Sequence, residues 1–239
     1  MKPQAPVYTL RFSPHKRISE ISQQEIVLAT NKCFAKEGLP VRIKIDNGKP
    51  LVNPRERDVP TLAVLWWVGL GIEVVKNKPV CPEQNGTVER LQGVLNNWAN
   101  PAAYSTVEEL QCSVDEARRI QRHVFLVPAK GYETRSKLYP ELENNPRKYR
   151  SELFDIKKVW AYLSNYVWER ALYKNGIVKL FGNEIYVSNK LKSQSVWVTF
   201  DHQEGSWMIR DRNGALLKST KTGVITEKTI LDFINLSKN

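Results

Sequence analysis

The sequence has few cysteines and histidines, and their positions exclude two common kinds of small-domain framework. Of its 239 residues, three are cysteine and three are histidine. The cysteines, at positions 33, 81 and 112, form no C-x-x-C pair, and no histidine is spaced from them as a zinc ligand would be. A disulfide framework and a zinc site of ordinary spacing are therefore excluded. These cysteines are typical of reduced thiols in a cytoplasmic protein.

The sequence also lacks a hydrophobic run long enough to cross a bilayer. Its most apolar stretch, residues 59–75, is interrupted by Pro60, Gly69, Gly71 and Glu73. It is shorter than the roughly 20 residues that a bilayer core requires. The chain begins with Met-Lys-Pro-Gln, and the apolar stretch that a signal peptide requires does not follow. We therefore expect no association with a membrane.

Positive charge is in excess along the whole chain. Lys and Arg number 36 against 25 Asp and Glu, which gives a net charge of +11. Residues 1–150 carry 23 basic and 16 acidic side chains, and residues 151–239 carry 13 and 9. A diffuse positive field favours a polyanionic partner such as nucleic acid, with plain solubility as the simpler alternative. Since 41% of the residues are hydrophobic, folded cores are expected.

The first part of the chain alternates between strand and helix patterns. Apolar alternation predicts a strand over residues 7–12, and the capping box of Ser22 and Glu25 opens a helix that Gly38 ends. Similar signals predict strands over residues 41–45 and 72–75, and helices over residues 60–69, 87–98 and 107–124. The last of these helices opens with a capping box of Thr106 and Glu109. This order predicts an α/β layer with some parallel strands.

The pattern changes after about residue 145, where residues 144–148 have the composition of a linker. Beyond residue 168, short β-rich runs are separated by four turn signals: Asn175-Gly176, Gly182-Asn183, Glu204-Gly205 and Asn213-Gly214. This spacing predicts a meander or barrel. We therefore predict an α/β domain over residues 1–145, a linker over residues 146–167 and a small all-β, barrel-like domain over residues 168–239.

Two acidic residues occupy positions typical of a functional site. Asp46 directly follows a predicted strand, and Glu89 lies in the first turn of a predicted helix. Each has a simpler interpretation, because Asp-Asn-Gly is common in turns and an early glutamate complements the helix dipole. If folding brings the two carboxylates together in this basic protein, they suit Mg²⁺, which prefers oxygen ligands and bridges carboxylates to phosphates.

A family resemblance rests on the segments that contain these two acids. Residues 43–50, Ile-Lys-Ile-Asp-Asn-Gly-Lys-Pro, resemble the strand that carries the second aspartate of the retroviral-integrase-type (DDE) transposases of bacterial insertion sequences. Residues 82–90, Pro-Glu-Gln-Asn-Gly-Thr-Val-Glu-Arg, resemble the segment that carries their glutamate. The likeness continues along the helices to residues 134–136. Tyr186 and the β-rich tail are similar to the C-terminal domain of Mu-type transposases.

The resemblance implies a partial ribonuclease H-like core followed by the small β domain. It implies that Asp46 and Glu89 are catalytic residues that bind Mg²⁺ or Mn²⁺ for DNA strand transfer in transposition. The family also needs an aspartate on its first strand, but residues 1–45 contain none, and their carboxylates are Glu20, Glu25 and Glu37. On this comparison the chain begins at the family's third strand and is N-terminally truncated.

This departure predicts weak metal binding and little or no strand transfer by the chain alone. Self-association or a separate chain could supply the missing strands. The alternative is a non-enzymatic DNA-binding remnant, or a domesticated protein that uses the basic scaffold as an interaction module.

Several polar side chains are candidates for DNA contacts. Beside the predicted metal site, phosphates would be held by Lys76, Lys78, Asn85 and Arg90, although a solvated loop is the alternative. Arg118, Arg119 and Arg122 are interpreted as a solvated helix face. In the tail, basic residues flank Trp197 and Trp207, which would either bind nucleic-acid strands or belong to the core.

Overall fold

The computed structural model describes residues 22–45, 50–53, 56, 58–77, 93–94, 97–98, 103–191 and 193–236. Within these ranges the chain forms both helices and sheets, as the α/β prediction requires in general terms. Three sheets have two strands and one has four. The predicted strand over residues 7–12 and most of the predicted helix over residues 87–98 lie outside the described residues.

The backbone groups into two compact units. The first contains the described parts of residues 29–46 and 75–149, and the second contains those of residues 21–28, 47–74 and 150–239. Residues 47–74 thus group with the C-terminal part of the chain, whereas the sequence places them with residues 1–145. The predicted boundaries at 145 and 168 stay a prediction.

The first unit contains the end of helix α1 and one long helix. Its elements are the last residues of α1 (Gln23–Glu37), β1 (Arg42–Ile45), the end of β2 (Glu73–Lys76), α3 (Val107–His123), β3 (Leu126–Val127), β4 (Glu133–Thr134) and α4 (Arg135–Leu138). Strands β1 and β2 pair with each other, and β3 and β4 form an antiparallel hairpin. Helix α3 begins with the predicted capping box, in which the Thr106 side chain accepts from the backbone of Glu109.

The end of helix α1 is held by residues that the sequence suggests are a linker. Gly38 follows the helix with φ of +81°, a conformation that favours glycine. A Cβ atom there would lie 2.8 Å from the Arg147 carbonyl oxygen. The Asn145 side-chain amide donates hydrogen bonds to the carbonyls of Glu37 and Leu39, each at 3.1 Å. Asn145 therefore caps the carbonyl end of α1.

The second unit combines an antiparallel sheet with short helices. Its elements include α2 (Leu62–Gly69), α5 (Ile156–Leu163), β5 (Trp168–Ala171), β6 (Ile177–Leu180), β7 (Asn183–Tyr186), β8 (Ser195–Asp201), β9 (Ser206–Arg210), β10 (Leu216–Lys221) and α6 (Glu227–Leu236). The four-stranded sheet has the order β10-β9-β8-β5, and β6 and β7 form a separate hairpin. Helix α2 packs against both α5 and α6.

The predicted barrel is not observed in the described part of the second unit. Its strands form an open sheet with β10 and β5 at the edges. Four strands are too few to close a cylinder with a packed interior, because barrel diameter grows with strand number. The β8–β9–β10 meander and the four turns are confirmed, with glycine φ values from +60° to +82° at Gly176, Gly182, Gly205 and Gly214.

The core of the second unit is aromatic. Along β8, Val196, Val198 and Phe200 are buried in alternation, so one face of the sheet points inward. The ring of Trp207 lies 4.7 Å from that of Phe200, centroid to centroid, and 5.7 Å from that of Trp168. Edge-to-face contacts of this kind stabilise a core beyond the area they bury.

Helix α2 is apolar on every side, which explains the most hydrophobic run of the sequence. All of its residues from Ala63 to Gly69 are buried. A Cβ atom at Gly69 would lie 2.2 Å from the Phe154 ring, so only glycine allows this close approach. Across the described ranges, no helix combines the length and the hydropathy that a membrane span needs.

Candidate metal and nucleic-acid site

The described structure reaches to within one residue of the predicted metal ligand Asp46. Strand β1 ends at the buried Ile45. The carbonyl oxygen of Ile45 accepts a 2.9 Å hydrogen bond from the backbone N–H of Asn77, which follows the last residue of β2. The end of β1, which Asp46 follows in the sequence, and the end of β2, which residue 78 follows after Asn77, therefore lie side by side.

Lys76 lies at this edge as the last residue of β2, and it is half-buried. The other residues predicted for this site, Asp46, Glu89, Lys78, Asn85 and Arg90, lie outside the described residues. Their proximity to one another stays a prediction. Among the described residues, no group of three or more His, Cys, Asp or Glu side chains could hold a metal ion.

The carboxylates that precede Asp46 in the described chain have structural roles. Glu25 accepts a 2.8 Å hydrogen bond from the Ser22 backbone N–H and belongs to the capping box of α1. Glu37 is 7% exposed at its side chain and accepts hydrogen bonds from Arg118 at 2.6 Å and Arg122 at 2.8 Å. Both carboxylates are therefore engaged in contacts at the two ends of helix α1.

The arginines of helix α3 correct one prediction. Arg118 and Arg122 do not form a solvated face, because both turn toward the buried Glu37, and the Arg122 side chain is only 15% exposed. Arg119 alone fits that interpretation, since its side chain is 56% exposed and pairs with Glu116. The helical spacing of the three arginines is visible in the sequence, but the acid that two of them bind lies 81 and 85 residues away.

Cys33 lies close to this ion-pair cluster. Burial, and then the negative charge of Glu37, raise the pKa of its thiol. A raised pKa disfavours the reactive thiolate.

The two tryptophans of the tail have different surroundings in the structure. Trp207 is 2% exposed and belongs to the core. Trp197 alternates with the buried residues of β8 and therefore points to the other face of the sheet, opposite Arg210 in register. The sequence pattern does not distinguish the two tryptophans, and it gives Tyr173 no role and Tyr186 only a family likeness. These two tyrosines are 53% and 54% exposed, beside and on the β6–β7 hairpin.

Neither the protein-family models nor the curated proteins contain a match to this sequence. The likeness to integrase-type transposases thus rests on the sequence alone, and chiefly on the two motif segments, residues 43–50 and 82–90.

Proposed function

We propose that the chain is an integrase-type protein of a mobile element that binds DNA and carries out metal-dependent phosphoryl transfer. Two features of the sequence support this, namely the paired motifs around Asp46 and Glu89 and the net charge of +11. The structural observation that carries the proposal is the hydrogen bond between Asn77 and Ile45. It joins the strand that leads to Asp46 with the strand that leads toward Glu89.

In this proposal, Asp46 and Glu89 would hold Mg²⁺ or Mn²⁺ through carboxylate oxygens, a donor set that suits both ions. Such an ion, when bound, polarises the phosphodiester and lowers the pKa of the attacking hydroxyl or water. Lys76, Lys78, Asn85 and Arg90 would position the DNA by its phosphates, which carry no sequence information.

On the likeness to integrase-type transposases, residues 1–239 supply two of the three carboxylates that such a site uses, and this number sets the expected strength of the activity. Residues 1–45 contain no aspartate. With two carboxylates in place of three, the charge that holds two dications is reduced by one unit. We therefore infer that the isolated chain binds the metal weakly and joins DNA poorly.

A second candidate function, DNA binding without catalysis, is favoured by one observation. Glu25 and Glu37, two of the three carboxylates before Asp46, are engaged in a helix cap and in ion pairs. They are not available as replacement metal ligands. A chain of this composition would retain its affinity for DNA while lacking strand transfer.

The Asp46→Asn substitution discriminates between the two functions. Joining of a labelled donor end to target DNA is measured with Mg²⁺ and with Mn²⁺, and duplex affinity is measured in parallel. Phosphoryl transfer by the wild-type chain that Asp46→Asn abolishes supports the enzyme. DNA binding without joining, with unchanged or tighter affinity after the substitution removes a negative charge, supports the binding function. Asp232→Asn, an exposed position on α6, is the matched control.

A further inference from the structure

The β6–β7 hairpin presents two exposed tyrosines that flank one residue. The backbone N–H of Tyr173 donates a 2.8 Å hydrogen bond to the carbonyl of Ile177, and Ile177 pairs in register with Tyr186. Both tyrosine side chains are more than half exposed. Exposed aromatic side chains that share one surface are a common mark of a binding site.

Lys179 shows that the two rings belong to the same face of the hairpin. It lies two residues after Ile177, so both side chains point to the side that Tyr186 shares. The Lys179 ammonium lies 5.3 Å from the centroid of the Tyr173 ring. This cation–π contact places the positive charge against one side of the ring. We call Tyr173, Lys179 and Tyr186 the tyrosine face.

Positively charged side chains surround the tyrosine face. Lys174 precedes the turn at Gly176, and Lys190 donates its backbone N–H to Ser188, whose own N–H bonds to the Gly176 carbonyl. Both lysines are exposed near the same end of the hairpin. Against these and Lys179, the hairpin carries one acid, Glu184, which pairs with Lys179. The surface is therefore complementary to a polyanion.

We propose that the tyrosine face binds single-stranded DNA, with bases stacked on Tyr173 and Tyr186 and phosphates held by Lys174 and Lys190. Base stacking on aromatic side chains requires base faces that are not already stacked in a duplex, which favours unpaired DNA. The inference deepens the proposed function, on which it rests for the choice of DNA as the ligand. It assigns the contact to the tyrosines and not to Trp197 or Trp207.

The test measures the affinity of the full chain for a fluorescein-labelled oligothymidylate and for a duplex of the same length, by fluorescence anisotropy. We expect Tyr173→Ala and Tyr186→Ala each to weaken single-strand binding about tenfold. Tyr186→Phe keeps the ring and should keep the affinity. Tyr132→Ala is the matched control, because Tyr132 is 67% exposed and belongs to the first unit.

Each result decides the inference. Loss with alanine, retention with phenylalanine and no change in Tyr132→Ala support it. Unchanged single-strand affinity in both alanine variants overturns it, as does an equal loss in Tyr132→Ala or a wild-type chain that binds only the duplex. The proposed function is decided separately by Asp46→Asn, since the tyrosine variants leave that residue and its metal dependence intact.

Discussion

The Glu37 carboxylate accepts a 2.8 Å hydrogen bond from the Arg122 guanidinium, although 85 residues separate the two in the chain. The Glu37 side chain is 7% exposed and that of Arg122 is 15% exposed. Burying a carboxylate raises the free energy of the folded state unless the charge is paired. A second ion pair, with Arg118 at 2.6 Å, also compensates the Glu37 charge. These contacts fasten the end of α1 to α3 within the first unit.

Removing this carboxylate should destabilise the first unit strongly. Glu37→Ala leaves the largely buried Arg122 with only the more distant and more exposed Glu143 carboxylate, 3.9 Å away, and we expect a loss of about 3 kcal/mol in the free energy of unfolding. Urea denaturation followed by circular dichroism measures it. Glu116→Ala is the control, because the pair of Glu116 and Arg119 is exposed on the same helix and should contribute nothing measurable. Equal effects of the two substitutions would contradict this account.

The close approach of α2 to Phe154 gives a second prediction. A Cβ atom at Gly69 would lie 2.2 Å from the Phe154 ring, so Gly69→Ala should destabilise the second unit by about 2 kcal/mol through overpacking. Thermal unfolding measures the change. The additional substitution Phe154→Leu should recover part of the loss, while Gly223→Ala, where a Cβ meets nothing within 4 Å, should have no such effect. No recovery in the double variant would show that the contact is not the cause.

The features that the sequence predicts well are local ones. The capping boxes at Ser22 and Thr106 and the turns at Gly176 and Gly205 depend on residues within four positions of each other. These capping boxes and turns can therefore be predicted from the sequence without knowledge of the fold.

The features that the sequence does not predict join distant segments. Arg170 binds both carboxylate oxygens of Asp58, at 2.8 and 2.9 Å, across 112 residues. The open sheet of the second unit has the same strand and turn pattern as a barrel, because periodicity specifies which face is buried but not which edges pair. For the same reason the sequence places Asp46 at the end of a strand but does not show which residues meet it there.

Tyr162 gives a prediction about alkaline pH. Burial, and then the 2.6 Å hydrogen bond that Tyr162 shares with Tyr166, raise the pKa of Tyr162 above its ordinary value of 10.0. A folded-state pKa that is raised contributes stability that is complete below pH 10.0 and is lost as the pH rises toward the folded value. Tyr162→Phe should therefore lose less stability than the wild type between about pH 9 and about pH 11, as urea midpoints would show.

The control for this prediction is Tyr132→Phe, at an exposed tyrosine. It should follow the wild-type pH dependence. If Tyr162→Phe also follows it, the Tyr162 hydroxyl ionises as readily in the folded chain as in the unfolded one.

The phosphate contacts proposed for Lys78 and Arg90 predict a change in the salt dependence of duplex binding. Each contact releases about one counterion, so Lys78→Ala and Arg90→Ala should each reduce the slope of log K against log salt by about 0.9. Affinity should fall for all duplex sequences alike, because phosphates carry no base information. Lys137→Ala is the matched control, since that lysine is 71% exposed and pairs with Glu133 on the surface of the first unit. A slope that falls as much in Lys137→Ala as in the other two would mean that the chain binds through its overall charge, and that the segment around Glu89 has no special part in it.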